Sequence, residues 1–315
     1  MASPIPEPAP SIAMVGVALC PSVTLATSIT DAEQRFQLGS TSIGNGPRVP
    51  ITVRRESRGV TGTLAERDGE RMSTELLNKT ALVTGAGGTG GIGFQIATAL
   101  RDSGAQVILT GRDETRGQAA ATQLGDRARF IGADLTDLDS VHALAEQAGP
   151  VDILVNNAAD AASAHTTEQA VEAFETVFAT NVRGPFFLTA ALVAQMIARR
   201  GGSIINISSV VARHGTPSMS VYGASKAALE SLTRSWAAEF AHAGVRVNTV
   251  APGATGSQSV VDALGENLDY VAQTIPLGRI GKTTDVADAV VFLASEQASY
   301  ITGVLLPVDG GRAAV

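Results

Sequence analysis

The sequence predicts an α/β domain built on a doubly wound, parallel sheet of about seven strands, preceded by a low-order N-terminal extension. Three observations carry this reading. Short apolar runs recur at Thr80–Val83, Gln106–Leu109, Arg129–Ile131, Ile153–Val155, Ser203–Ile207, Arg246–Val250 and Val304–Val308. Segments of helical period, such as Ile92–Ser103, Asp137–Gln147 and Phe187–Ala198, separate most of them. A glycine cluster follows the first run directly. Alternation of strand-like and helical patterns implies βαβ units and a parallel sheet with helices on both faces.

Composition bounds the function. The 315 residues are 44% hydrophobic and 17% charged, enough to bury a sizeable core. A net charge of −7 argues against nucleic acid or an anionic membrane as the main partner. One cysteine, Cys20, leaves no intrachain disulfide and no cysteine-based metal cluster. The four histidines lie far apart, so no metal site is expected. The longest apolar run, Ile12 to Cys20, is too short to span a bilayer, and we expect a soluble, cytoplasmic protein.

Residues 1–71 stand apart. They hold seven of the thirteen prolines, and their seven basic and seven acidic residues cancel, so the net charge belongs to residues 72–315. No sustained periodicity runs through them, and we read them as a low-order extension or a mis-assigned start ahead of Met72. Ile12–Cys20 resembles the apolar part of a signal peptide, yet the first basic residue is Arg35.

From Met72 the elements follow in order. The first strand leads into Thr84-Gly85-Ala86-Gly87-Gly88-Thr89-Gly90-Gly91-Ile92-Gly93 and then a helix. Glycines there let the backbone approach a pyrophosphate, which the helix N-terminus attracts through its free N–H groups. Two registers of the glycine fingerprint overlap, from Gly85 and from Gly88. The second strand decides which dinucleotide is preferred. An acid at its end would bond the ribose 2′-hydroxyl and repel a 2′-phosphate; here Gly111 holds that place and Arg112 follows. This favours NADP(H), with NAD(H) possible because Asp113 lies one residue on. Late in the chain, Tyr222 and Lys226 share one face of a helix that reaches about Ala243. A neighbouring ammonium is expected to lower the phenol's pKa and make Tyr222 a usable proton donor or acceptor. Ser209 lies thirteen residues before Tyr222, just past a strand end.

These motifs together resemble the short-chain dehydrogenase/reductase family, a Rossmann-type fold, over Met72 to Gly311. The resemblance runs through the glycine loop, Asp134-Leu135, Asn156-Asn157-Ala158-Ala159, Thr180-Asn181-Val182, Ser209, Tyr222-x-x-x-Lys226, Arg246-Val247-Asn248 to Pro252-Gly253, and Asp309-Gly310-Gly311. It implies catalytic roles for Asn181, Ser209, Tyr222 and Lys226. Ser209 would bond the substrate oxygen, Tyr222 would exchange the proton, Lys226 would hold the nicotinamide ribose, and Asn181 would anchor a water that relays protons. It implies cofactor contacts at Gly85, Gly87, Gly91, Ile92, Gly93, Arg112, Asp134, Leu135, Asn157, Tyr222, Lys226 and Thr255. Ser209 and Tyr222 would meet the substrate.

Some features depart from the pattern. The glycine loop is two residues longer than usual, Ala159 replaces a glycine, and Ser257 stands where a threonine is usual. Ser208 rivals Ser209, though the spacing to Tyr222 favours Ser209. Arg213 and His214 read as solvent-facing loop residues, and Trp236 as core or interface. Segment Gly202–Val211 resembles the oxoacyl-carrier-protein reductase branch. The implied function is an NADP-dependent carbonyl reductase, a 3-oxoacyl thioester being the favoured substrate, in a homotetramer. The alternatives are an NAD-dependent sugar or secondary-alcohol dehydrogenase and a non-catalytic NADP-binding regulator.

Overall fold

The computed structural model describes residues 75–315, so the readings made for residues 1–71 lie outside it. Seven strands form one all-parallel sheet: β1 (Thr80–Thr84), β2 (Gln106–Gly111), β3 (Ala128–Gly132), β4 (Ile153–Asn156), β5 (Gly202–Ile207), β6 (Val245–Pro252) and β7 (Leu305–Val308). All seven apolar runs become strands, most of them longer by a residue or two. Their spatial order is β3-β2-β1-β4-β5-β6-β7. The order reverses between β1 and β4, which opens a crevice beyond the carboxyl ends of those strands, where ligands of such sheets bind.

The five inner strands, β1, β2, β4, β5 and β6, are buried on both faces, which is why their sequences lack an apolar–polar alternation, while the edge strands β3 and β7 are partly exposed. On β1, Ala81 and Val83 face one core with Ile205, Ile207 and Val250. Leu82 between them faces a second core with Ile108, Leu154 and Ile204. Helices α1 (Ile92–Asp102) and α2 (Glu114–Leu124) cover the first face, and α3 (Leu138–Ala148) contributes Val141 and Leu144 to the second.

Next come α4 (Val171–Phe178), a π-helical turn at Ala179–Arg183 and α5 (Gly184–Ala198), in one unbroken run. By length and composition the run Val171–Ala198 could cross a membrane. In this fold its Leu188, Leu192 and Met196 are buried against the sheet, so a core helix accounts for its apolarity. Helix α6 (Ser220–Phe240) follows β5 and buries Trp236 against the same face. The segment between Pro252 and Pro276 forms two short helices, α7 (Gln258–Leu264) and α8 (Leu268–Gln273), and α9 (Thr283–Ala294) returns to the first face.

Candidate active site

Helix α6 brings three side chains to the carboxyl end of β5. Tyr222, Lys226 and Glu230 are four residues apart, so they fall on one helix face. Each meets one of three successive residues leaving the strand. The Tyr222 phenol is within hydrogen-bonding reach of Ser209, Lys226 Nζ donates to the Ile207 carbonyl at 2.8 Å, and Ser208 Oγ donates to Glu230 Oε1 at 2.8 Å. Of the two rival serines, Ser208 is 3% exposed with its hydroxyl taken by Glu230, and Ser209 is the one beside Tyr222.

Electrostatics at this face differ from the sequence expectation. Burial pushes the Tyr222 phenol above its ordinary value, and the hydrogen bond to Ser209 offsets part of that rise. The expected lowering by Lys226 is not what dominates, since Nζ lies 5.7 Å from the ring centroid and is turned toward the Ile207 carbonyl. Burial also pushes Lys226 itself down to about 8. An amine out of water resists protonation.

Asn181 sits in the π turn and is fully buried. Its side-chain oxygen accepts from Asp160 N at 2.8 Å, and its amide donates to Asp160 O at 2.8 Å and to Ser225 Oγ at 3.0 Å. Ser225 Oγ in turn donates to the Tyr222 carbonyl at 2.7 Å. The Asn181 side chain therefore ties the loop after β4 to the first turn of α6. Pro185, four residues on, has no N–H to offer the Asn181 carbonyl, its partner in a regular α-helix.

The glycine loop divides into two sets. Gly85 (φ +67°) and Gly93 are glycines because the chain crowds them. A Cβ on Gly85 would lie 2.7 Å from Ala158 Cα, and one on Gly93 would strike the Asn157 amide and lie 2.5 Å from the Gly85 carbonyl oxygen. The bracing continues through Asn157, whose side chain donates to Thr84 O at 2.8 Å, and through Thr84 Oγ1, which accepts from Asn157 N at 3.0 Å. Gly87 lies against Phe130 and Gly117. By contrast, a Cβ on Gly88 or Gly90 would meet nothing within 4 Å. The next residue, Gly91, is the N-cap of α1 and gives no side-chain hydrogen bond, and Ile92 is the first helical residue. Open space thus faces the uncapped N-terminus of α1, and this cradle fits a pyrophosphate.

At the end of β2, Gly111 packs beside Gly87 and Arg112 is exposed. Asp113 caps α2, accepting from Arg116 N at 2.9 Å and Arg116 Nε at 2.7 Å. Those bonds, the backbone one first, hold its carboxyl below the usual range. Beyond β3, Asp134 Oδ1 accepts from Thr136 N and Oγ1, and Leu135 is buried. Beyond β6, Thr255 is buried, and its hydroxyl donates to the Gly253 carbonyl at 3.1 Å.

Sequence reasoning missed Glu230, whose signal was available: it lies one further turn along the face of Tyr222 and Lys226. It also read Arg213 as solvent-facing. Half of that side chain is exposed, but Nε donates to Glu230 Oε2 at 3.1 Å.

The chain is similar to known proteins. A family profile described as Enoyl-(Acyl carrier protein) reductase matches residues 85–313. The chain is 41% identical over 238 residues to the 3-oxoacyl-[acyl-carrier-protein] reductase FabG of Rickettsia conorii, covering 75% of this chain and 98% of that protein. It is similar to a solved structure of a short chain dehydrogenase/reductase family protein, 52% identical with a TM-score of 0.73, over 76% of this chain and 100% of the other. It is also similar to a gluconate 5-dehydrogenase from Burkholderia cenocepacia in complex with NADP and tartrate, 30% identical with a TM-score of 0.73, over 78% of this chain and 98% of that one.

Proposed function

Since the chain belongs to the short-chain dehydrogenase/reductase family, and is therefore an NAD(P)-dependent oxidoreductase, we propose that it uses NADPH to reduce a ketone, a 3-oxoacyl thioester being the favoured substrate. The observation that carries this reading is the convergence of Ser209, Tyr222 and Lys226 at the carboxyl end of β5.

When bound, the nicotinamide supplies the hydride that the carbonyl carbon accepts. The protein's part is positioning and proton transfer. Ser209 donates a hydrogen bond to the carbonyl oxygen and Tyr222 delivers the proton to it. Lys226 would hold the nicotinamide ribose, and its charge, 5.7 Å from the Tyr222 ring centroid, would favour the phenolate that Tyr222 leaves behind. Reprotonation runs through a water held by the Asn181 main chain, because its side-chain amide is already engaged with Asp160 and Ser225. The uncapped N-terminus of α1 would hold the pyrophosphate near Gly88 to Gly91, while Gly85, Gly87 and Gly93 shape that loop. Asp134, Leu135 and Asn157 would border the adenosine half, and Thr255 would hold the carboxamide end.

Preference for the 2′-phosphate rests on Arg112, which follows a strand ending in glycine. Asp113, the one acid that could reverse the choice, is engaged in capping α2. We place the protein in the cytoplasm as a homotetramer.

A second reading, a sugar or secondary-alcohol dehydrogenase, is favoured by the likeness to the gluconate 5-dehydrogenase. One assay separates the two. The purified protein is given NADPH with an acetoacetyl thioester, and in parallel NAD or NADP with gluconate and a set of sugar alcohols. Faster oxidation of NADPH by the thioester supports the reductase. Turnover confined to the alcohols selects the dehydrogenase, and turnover of neither removes both substrate assignments.

A further inference from the structure

Between β5 and α6 the chain runs from Ser208 to Met219, and Ser209 caps a 3-10 turn at Val210–Ala212. Two contacts hold this loop to the helix. Gly223 leaves room for the turn, since a Cβ there would lie 2.8 Å from the Val211 carbonyl oxygen. The other contact is ionic: Glu230, its side chain 6% exposed, accepts from Ser208 Oγ with one oxygen and from Arg213 Nε with the other.

A carboxylate taken out of water is costly unless its oxygens are hydrogen-bonded and its charge paired, and apolar packing in its place is often as stable or more so. The two partners of Glu230 are the residue before Ser209 and a residue four beyond it. Both flanks of the substrate-bonding serine are therefore fixed to one side chain, and the same helix face presents Tyr222 two turns away.

We propose that the Arg213–Glu230–Ser208 cluster is a positioning device for Ser209, holding its hydroxyl in register with Tyr222 for the reaction. Glu230 and Arg213 are positioning residues, and they act through Ser208 and the turn that follows. This rests on the oxidoreductase reading above for its kinetic consequence, though not for its geometry. Small displacements of a positioned group can lower turnover by one or two orders of magnitude. The latch also accounts for a half-exposed arginine four residues past Ser209 without making it a substrate ligand.

The test uses the full chain and three variants, Arg213→Ala, Arg213→Lys and Glu230→Gln. Steady-state turnover of a ketone with NADPH, NADPH affinity by fluorescence titration, and amide hydrogen exchange over residues 209–221 are measured on each. Expected are a kcat reduced by about tenfold in Arg213→Ala and Glu230→Gln, NADPH affinity held within about twofold, recovery of most of kcat in Arg213→Lys, and faster exchange at Ala212, Arg213 and His214. A KM that rises while kcat is kept would assign Arg213 to substrate binding and overturn the proposal. Unchanged kcat, or equal losses of kcat and NADPH affinity, would overturn it too. If the unmodified protein reduces no carbonyl and oxidises no alcohol, it is the function reading that falls. Exchange then decides the latch: faster exchange in Arg213→Ala sustains it, and unchanged exchange overturns it.

Discussion

Tyr222 lies on the first turn of a 21-residue helix, where burial raises its pKa and Ser209 alone is seen to oppose that. A phenol held protonated is suited to give a proton to a forming alkoxide. Tyr222→Phe is therefore expected to abolish ketone reduction while changing NADPH affinity no more than a few fold, which a fluorescence titration beside the activity assay checks. Lys226 permits a sharper statement. Unfolded, the amine keeps its proton up to its ordinary value of 10.5; folded, burial lets it go at about 8. Between those values the unfolded chain binds more protons, so stability rises with pH there, and the cost of the buried charge is present in full below pH 8. A Lys226→Met variant lacks that dependence. The melting temperature of the unmodified protein should thus gain on the variant's as pH is raised from 8 to 10.5, followed by circular dichroism. Melting temperatures that stay parallel over this window would mean that the amine is not shifted. Arg112→Ala, in turn, should raise KM for NADPH far more than KM for NADH; an unchanged ratio in steady-state kinetics would take Arg112 out of the 2′-phosphate site.

At the scale of elements, the β1–α1 loop separates glycines that fit the chain to itself from glycines that leave room in front of the helix. Gly93→Ala forces a methyl against the Asn157 amide and the Gly85 carbonyl, and overpacking of that kind costs about 1–3 kcal/mol. Its melting temperature and cofactor affinity should fall together. Gly88→Ala meets no neighbour and should shift stability by less than about 0.5 kcal/mol, while weakening NADPH binding if the pyrophosphate lies there. Calorimetric melts and titrations of the two variants check the contrast. The loop's two sets of glycines look alike in sequence, because crowding at Gly85 comes from Ala158, in the loop after β4, far away in the chain. The inner strands were legible for the opposite reason: burial on both faces writes a largely apolar run into each. Tyr222 and Lys226 were legible through helical spacing. The π turn at Asn181 carried no periodic signal, and the Arg213–Glu230 pair spans 17 residues across a loop, so only the fold brings it together. The expected lowering of the Tyr222 pKa failed because spacing gives proximity but not burial, and burial dominates.

On the molecule as a whole, helices α4 to α6 leave an apolar face uncovered among the described residues. Phe174 is 45% exposed, Phe186 41% and Phe187 38%, and they line a groove of about 1200 Å³ with Leu232. Contiguous apolar surface of this kind marks a contact with another molecule. The same groove carries acids, Glu172 and Glu175, and bases, Arg112 and Arg183. Both signs on one patch let it pair with its own two-fold image, since an isologous contact sets each residue against the other copy's complement. The proposed homotetramer would bury this face first. Light scattering on the full chain is expected to give four times the chain mass, and Phe174→Glu with Phe187→Glu a smaller species, because a carboxylate placed at each ring would have to be buried unpaired. A monomer at micromolar concentration in the unmodified protein would show that the face has another partner. Phe186 lies 6.0 Å from the buried Trp236, so the emission of that single tryptophan should move with the change in assembly.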